Sequence, residues 1–392
     1  MNYHFIKQKT AEGKNNFIEY IKMLIYKTRK DLFDRLDFNA EAPFMEPMLY
    51  TWFNFPQQKI SLDQLLYGYM ALDRRPVTIQ VLTESTGIIY LPNIGYYHTD
   101  VPGEYIDYHG AENPATARLL KDGQEIPYTF EKIYLLNNST IELCLHNSSL
   151  IDALFDDKQD PGIEDSVMRH KQHLEKALGF IKAHYPEFDE LLHATVKRIV
   201  IFKGGYMRSF ASMLSNGTAF FNVHDWHDEV FFCEDITHQC GHVIYYAVMY
   251  NKSSFFSVPP ETLIKQFNGR PNDVRTVLGA FYSLLPFCFS NTNSYRLYEA
   301  GVFSHRQLHE FLGRFAFRMR KFRLALEDFR SGEMLSEQGR QLWNEFEDTL
   351  LDVHEKVKPF LYQYDSSNQN YDFSYEQFLL LNPIDKPITT AL

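Results

Sequence analysis

Two histidines four residues apart frame the stretch His238-Gln239-Cys240-Gly241-His242. On a helix, such a pair lies on one face, one turn apart, and two imidazoles there can chelate one metal ion. The segment 234–250, EDITHQCGHVIYYAVMY, reads as that helix, and strand-like segments precede it. Glu234 stands one turn before His238. It is a candidate to hold the far nitrogen of a ligating histidine, or simply an acidic residue at a helix N-terminus. Beside the first histidine stands Gln239. A hydrolytic site of the H-E-x-x-H kind needs a general base there, and a neutral amide cannot take a proton from metal-bound water. The pattern keeps two ligands and loses that hydrolytic route. Two histidines plus one further carboxylate or histidine, with open positions, also describe non-haem Fe(II) oxygenases.

The rest of the chain must position this pair. Residues 16–36 carry apolar side chains at Phe17, Ile21, Leu24, Ile25 and Leu32, the spacing of an amphipathic helix. A short helix is expected over 60–72, with Ser61 as its cap. From about 77 to 145, TIQVLTE, GIIYLP, EYIDYHG, FEKIYLL and TIELCL are rich in β-branched and aromatic residues. Turn formers such as Pro102-Gly103, Asp122-Gly123 and Asn137-Asn138 separate them, so this region reads as antiparallel sheet. DDKQDPGIEDS (156–166) reads as a linker. Beyond it come a helix over 163–184, strands in 196–205 and 218–223, and helices near 272–299, 304–329 and 335–358, with Ser304 and Ser336 as caps. The tail beyond 360 is polar, with Pro383 and Pro387, and is expected to be irregular. The expected fold is α+β: a strand-rich N-terminal domain (1–155), a mainly helical, zincin-like metal domain (156–360) and a tail (361–392).

Bulk composition narrows the function classes. With 45% hydrophobic and 23% charged residues, the chain can build a packed core. The 33 Phe and 25 Tyr suit an aromatic core or a groove that grips a peptide. A net charge of −11 without a basic stripe argues against nucleic acid and an anionic membrane surface. Cys144, Cys233, Cys240 and Cys288 form no C-x-x-C pair, so reduced thiols are expected. No apolar run suggests a signal peptide or a membrane span, and a cytoplasmic protein is expected.

The segment GTAFFNVHDWHDEVFFCEDITHQCGHVIYYAV, with GRPNDVRTVLGAFYSLLPF after it, resembles the HExxH-motif domain of gene clusters for ribosomally made, modified peptides. Members of that family are named 2-oxoglutarate-dependent HExxH-type peptide β-hydroxylases. LSEQGRQLWNEF resembles the L-T-x-x-G helix near the end of that domain. The likeness spans about 190–350, roughly 40% of the chain. Gln239 departs from the motif glutamate, and Leu278-Gly279-Ala280 stands where the family often has Leu-His-Gly.

The resemblance implies Fe(II) on His238 and His242, 2-oxoglutarate as a small-molecule co-substrate, and a precursor peptide whose β-carbon is hydroxylated. Candidates for a third ligand are Asp273, Glu299, His305, His309 and Glu310. A ligand on a helix after the H-x-x-x-H helix matches carboxylate-completed zincin sites, which selects Glu310, with His309 next. His305 also reads as the end of an apolar stripe with Leu308, Leu312, Phe315 and Met319. Arginine is the usual partner of a distal carboxylate; Arg275 and Arg314 are the expected anchors, with Arg318 four residues beyond Arg314. All three also read as surface arginines. His224 and His227 flank Trp226 and suit either a substrate mouth or a turn. The N-terminal region is a candidate to dock the peptide by strand addition. Two other classes stay open: a zinc-dependent peptide hydrolase with Glu234 as its base, and a non-catalytic peptide-binding partner with a vestigial metal site.

Overall fold

The computed structural model describes residues 1–55, 57–155, 160–205 and 207–384. The first residues of the expected linker (156–159) and the tail beyond 384, with Pro387, lie outside the described residues. The chain is α+β, with its strands concentrated in the N-terminal part and, apart from the N-terminal helix Tyr3–Thr28, most of its long helices in the C-terminal part. It divides into two compact units. One comprises Lys14–Arg169 and Val196–Val223; the other comprises Met1–Gly13, His170–Thr195 and His224–Leu392.

The strand-rich unit holds β1 (Thr78–Leu82), β2 (Ile88–Leu91), β3 (Gly95–His98), β4 (Tyr105–His109), β5 (Arg118–Lys121), β6 (Gln124–Glu125), β7 (Thr129–Lys132), β8 (Tyr134–Leu135), β9 (Glu142–Leu143), β10 (Arg198–Phe202), β11 (Phe210–Ala211) and β12 (Thr218–Asn222). Three sheets result, in the orders β1-β4-β5-β6, β2-β3-β7 and β11-β12-β10-β9-β8. In β1, Ile79 and Val81 turn inward while Thr78 and Gln80 stay exposed, the period-two pattern of a half-buried strand. Their partners include Leu91, Tyr97, Ile106, Tyr108 and Leu119. Asp122 and Gly123 both take positive φ (51° and 79°) in the tight turn that joins β5 to β6.

The expected boundary at 155 cuts through the third sheet. β9 pairs in parallel with β10, Glu142 opposite Arg198, so residues 196–223 group with the N-terminal strands. A buried ion cluster marks this seam. The guanidinium of Arg198 donates to Glu46 (2.9 Å), Glu142 (3.2 Å) and the Tyr90 hydroxyl (2.6 Å). Local hydrophobic pattern cannot reveal which distant strand supplies the neighbour of a fully buried one.

The helical unit contains the long helices α1 (Glu229–Val248), α2 (Leu284–Glu299), α3 (His305–Glu327) and α4 (Glu337–Leu361). The expected helix over 272–299 is broken: a short helix, Val277–Phe281, precedes α2. Pro286 sits in the first turn of α2, where a missing N–H costs nothing. Ser336 caps α4 by accepting from Gly339 N, whereas Ser304 makes no side-chain cap to α3. The tail was expected to be irregular, yet Tyr375–Leu381 forms a helix capped by Ser374, with Phe378 fully buried. Among the described residues, no helix is long and apolar enough to cross a membrane.

Candidate metal centre

α1 positions the histidine pair. Asp228 caps it by accepting from Val230 N. The turn before the cap is built by His224 and His227: His227 N donates to His224 O (2.9 Å), and the His227 ring stacks on Phe231 at 3.8 Å. These two histidines and the exposed Trp226 thus belong to the helix entry. α1 is buried along almost its whole length because α2 crosses it closely. Gly241 makes that approach possible, since a Cβ there would meet the Pro286 Cα at 3.0 Å.

His238 and His242 are 9% and 6% exposed, and their rings lie 4.8 Å apart at 78°. Tyr282 stacks on His242 at 4.0 Å, and Phe287 tilts against His238 at 5.2 Å. Burial, reinforced by the Arg318 charge, pushes His238 well below the usual histidine range and His242 down to about 3. Both rings are therefore neutral near pH 7, the protonation state that binds metals. The Nδ1 atom of each is buried without a hydrogen-bond partner. A buried polar nitrogen left unpaired is costly, and a metal ion is one group that would satisfy such a pair.

α3 faces this region with a charged ladder. Arg306, Glu310, Arg314 and Arg318 recur every fourth residue along one face. Arg306 reaches Asp228 (3.5 Å) and Glu310 (2.9 Å). Arg314 donates to Glu310 (2.8 Å) and to Glu234 on α1 (3.1 Å), and Arg318 donates to the other oxygen of Glu234. Burial alone would raise the Glu234 carboxyl, but the Arg318 and Arg314 guanidiniums outweigh it and hold it below the usual range. Glu234 is thus an ionised counter-ion for two arginines, and its oxygens serve them in place of the far nitrogen of His238. Gln239 donates to Asp235 (3.3 Å).

The remaining expected site residues are placed as follows. Glu310 is enclosed between Arg306 and Arg314, and no ligand atom of it converges with His238 and His242 to within 4.8 Å of one another. His309 accepts or donates at the Tyr375 hydroxyl (3.1 Å), and His305 is exposed with φ +49° at the start of α3. Glu299 bonds the Tyr295 hydroxyl. Arg275 is bound to Asp273 (2.6 Å) and Asp328 (2.7 Å), which occupies the fork expected for a co-substrate carboxylate. Arg314 is likewise occupied by Glu234 and Glu310. The guanidinium whose charge reaches both imidazoles is Arg318. Its four-residue step from Arg314 was the only sequence signal for it.

The donors this face offers a metal ion are the two imidazoles with their unpartnered Nδ1 atoms. No third His, Asp, Glu or Cys donor joins them among the described residues. In comparisons with known proteins, no family model and no curated protein matches this chain.

Proposed function

We propose that the chain is a non-haem Fe(II)/2-oxoglutarate-dependent oxygenase that β-hydroxylates a residue of a ribosomally synthesised precursor peptide, on a zincin-like helical unit. The observation that carries this reading is the pair of buried, neutral imidazoles on successive turns of α1, each with an unpartnered Nδ1, next to Gln239. The peptide substrate and the co-substrate come from the resemblance over 190–350.

His238 and His242 would hold the iron. Iron and 2-oxoglutarate together would supply dioxygen activation, one oxygen atom going to the succinate formed with carbon dioxide and the other to the peptide C–H bond. The chain's own residues orient and insulate. Tyr282 and Phe287 cover the two rings and keep water away from their faces. Arg318, which Glu234 engages through its Nε, is the cation for a co-substrate carboxylate, a role expected earlier of Arg275 and Arg314, each of which is bound by two carboxylates. Glu234 keeps Arg318 in place. A zinc hydrolase based on Glu234 is disfavoured because two guanidiniums hold that carboxylate ionised and engaged.

The test is iron uptake and succinate release by the full chain under controlled oxygen. The expected result is oxygen-dependent succinate formation that is lost in His238→Ala/His242→Ala, and that persists within a few-fold in Gln239→Glu. Peptide cleavage without oxygen, or succinate formation unaffected by the double substitution, would refute the proposal. No iron uptake at all would leave a peptide-binding role.

A further inference from the structure

The structure assigns a second metal site, of the zinc type, to His98, Glu131 and His146 in the strand-rich unit. One ligand atom from each lies within 4.8 Å of the other two, and among the described residues no other trio of His, Cys, Asp or Glu does so.

The trio is built by pairing across strands. β3 and β7 are antiparallel neighbours, with His98 opposite Thr129 and Tyr96 opposite Glu131. His98 and Glu131 are therefore diagonal neighbours on one face. His146 arrives from the segment after β9, and its ring is braced edge-on by Tyr96 (4.8 Å) and His98 (4.9 Å). The Nε2 atoms of both histidines converge on a single oxygen, Glu131 Oε2, at 3.0 and 2.6 Å. On its far side, His146 Nδ1 lies 3.2 Å from Glu164 Oε1.

Both nitrogens of His146 face carboxylates. Without an ion, an imidazolium that donates from both nitrogens meets them; a divalent ion between His98, Glu131 and His146 would take the place of the proton on Nε2, with Glu131 as its carboxylate ligand. With zinc at the centre, Glu164 becomes the carboxylate on the far nitrogen that orients a ligating imidazole. Two histidines and a carboxylate, with a water in the fourth position, form an open zinc site. The side chains are 32%, 43% and 14% exposed for His98, Glu131 and His146, so ion and water have access. Ligands about 2.0–2.1 Å from a tetrahedral ion lie about 3.3 Å apart, so the present contacts need to open by less than about 1 Å. The three positions, 33 and 15 residues apart, form no spacing motif, and only sheet pairing brings them together.

The site is independent of the iron proposal, and the test keeps the two apart. Zn(II) is titrated into metal-stripped full-length His238→Ala/His242→Ala against a chromophoric chelator. One tight equivalent is expected; adding Glu131→Gln should abolish it or weaken it at least a hundredfold (about 2.7 kcal/mol), with circular dichroism unchanged. Glu164→Gln should weaken it about 10–100-fold. In the unsubstituted chain, Zn(II) should protect His98 and His146 from carbethoxylation, read by peptide mass spectrometry. Zinc uptake indifferent to Glu131→Gln, or no protection of the two histidines at saturating zinc, overturns the assignment.

Discussion

Replacing Glu234 with Gln tests the charged ladder beside the histidine pair at nearly constant shape. The carboxylate is 6% exposed and is shared by Arg314, itself 7% exposed, and Arg318. Each contact is worth about 4 kcal/mol of gross attraction at an effective dielectric of about 20. The desolvation of the carboxylate offsets several kcal/mol of that sum, while removing one member of a buried pair costs about 3–5 kcal/mol. Arg314 keeps Glu310, and the amide oxygen of Gln still accepts one hydrogen bond, so the expected loss is about 3 kcal/mol at pH 7. The pH dependence has a defined sign. A carboxyl held below its ordinary value of 4.5 contributes stability that is fully present above that value and is lost as pH falls through the folded-state pKa. The gap between the two proteins should therefore be constant from pH 7 to 5 and narrow below about 4.5. Urea unfolding with an unchanged m-value reads it. A loss under about 1 kcal/mol at pH 7, or a gap that widens on acidification, would refute the ion-pair account.

Arg198→Met should destabilise the chain by about 3–5 kcal/mol, because Glu46 and Glu142 are left buried without their cation; chemical unfolding measures it. Gly241→Ala should cost about 1–3 kcal/mol through overpacking against Pro286, read by the same method, and an unchanged stability would disprove the close crossing. Burial raises the Glu84 carboxyl to about 7, against the opposing hydrogen bonds from Ser149. A raised carboxyl pKa means that folding loses stability as pH climbs from 4.5 through 7. Glu84→Gln, which mimics the protonated form, should gain about 3 kcal/mol at pH 8 and under about 1 kcal/mol at pH 5, as followed by melting at both pH values.

Much of the local architecture is legible from residue pattern. The helix Ile163–His184 and the strands β10 and β12 fall where periodicity and turn formers place them, and α1 is the expected helix over 234–250 begun five residues earlier, at Glu229. The reason is that amphipathic spacing and turn chemistry act over a few residues. Long-range features fail for the complementary reason. Glu310 has the type and position of a third ligand, but two arginines one turn away on either side claim its oxygens. The apolar Tyr375 and Phe378 were hidden in a polar tail, where Ser374 starts a helix.

The residues of one helix determined by themselves that His238 and His242 share a face one turn apart, and that Gln239 supplies no base beside them. Helical geometry alone carries both statements. Only the tertiary structure decided the surroundings of that face. The packing of α2 around Gly241 buried the rings, and α3 brought Arg318 and bound Glu234 to it. The convergence of His98, Glu131 and His146 likewise depends on strand pairing over tens of residues. Burial and cross-strand register are properties of the assembled core, set by which distant surfaces exclude water together, and no spacing within the chain encodes them.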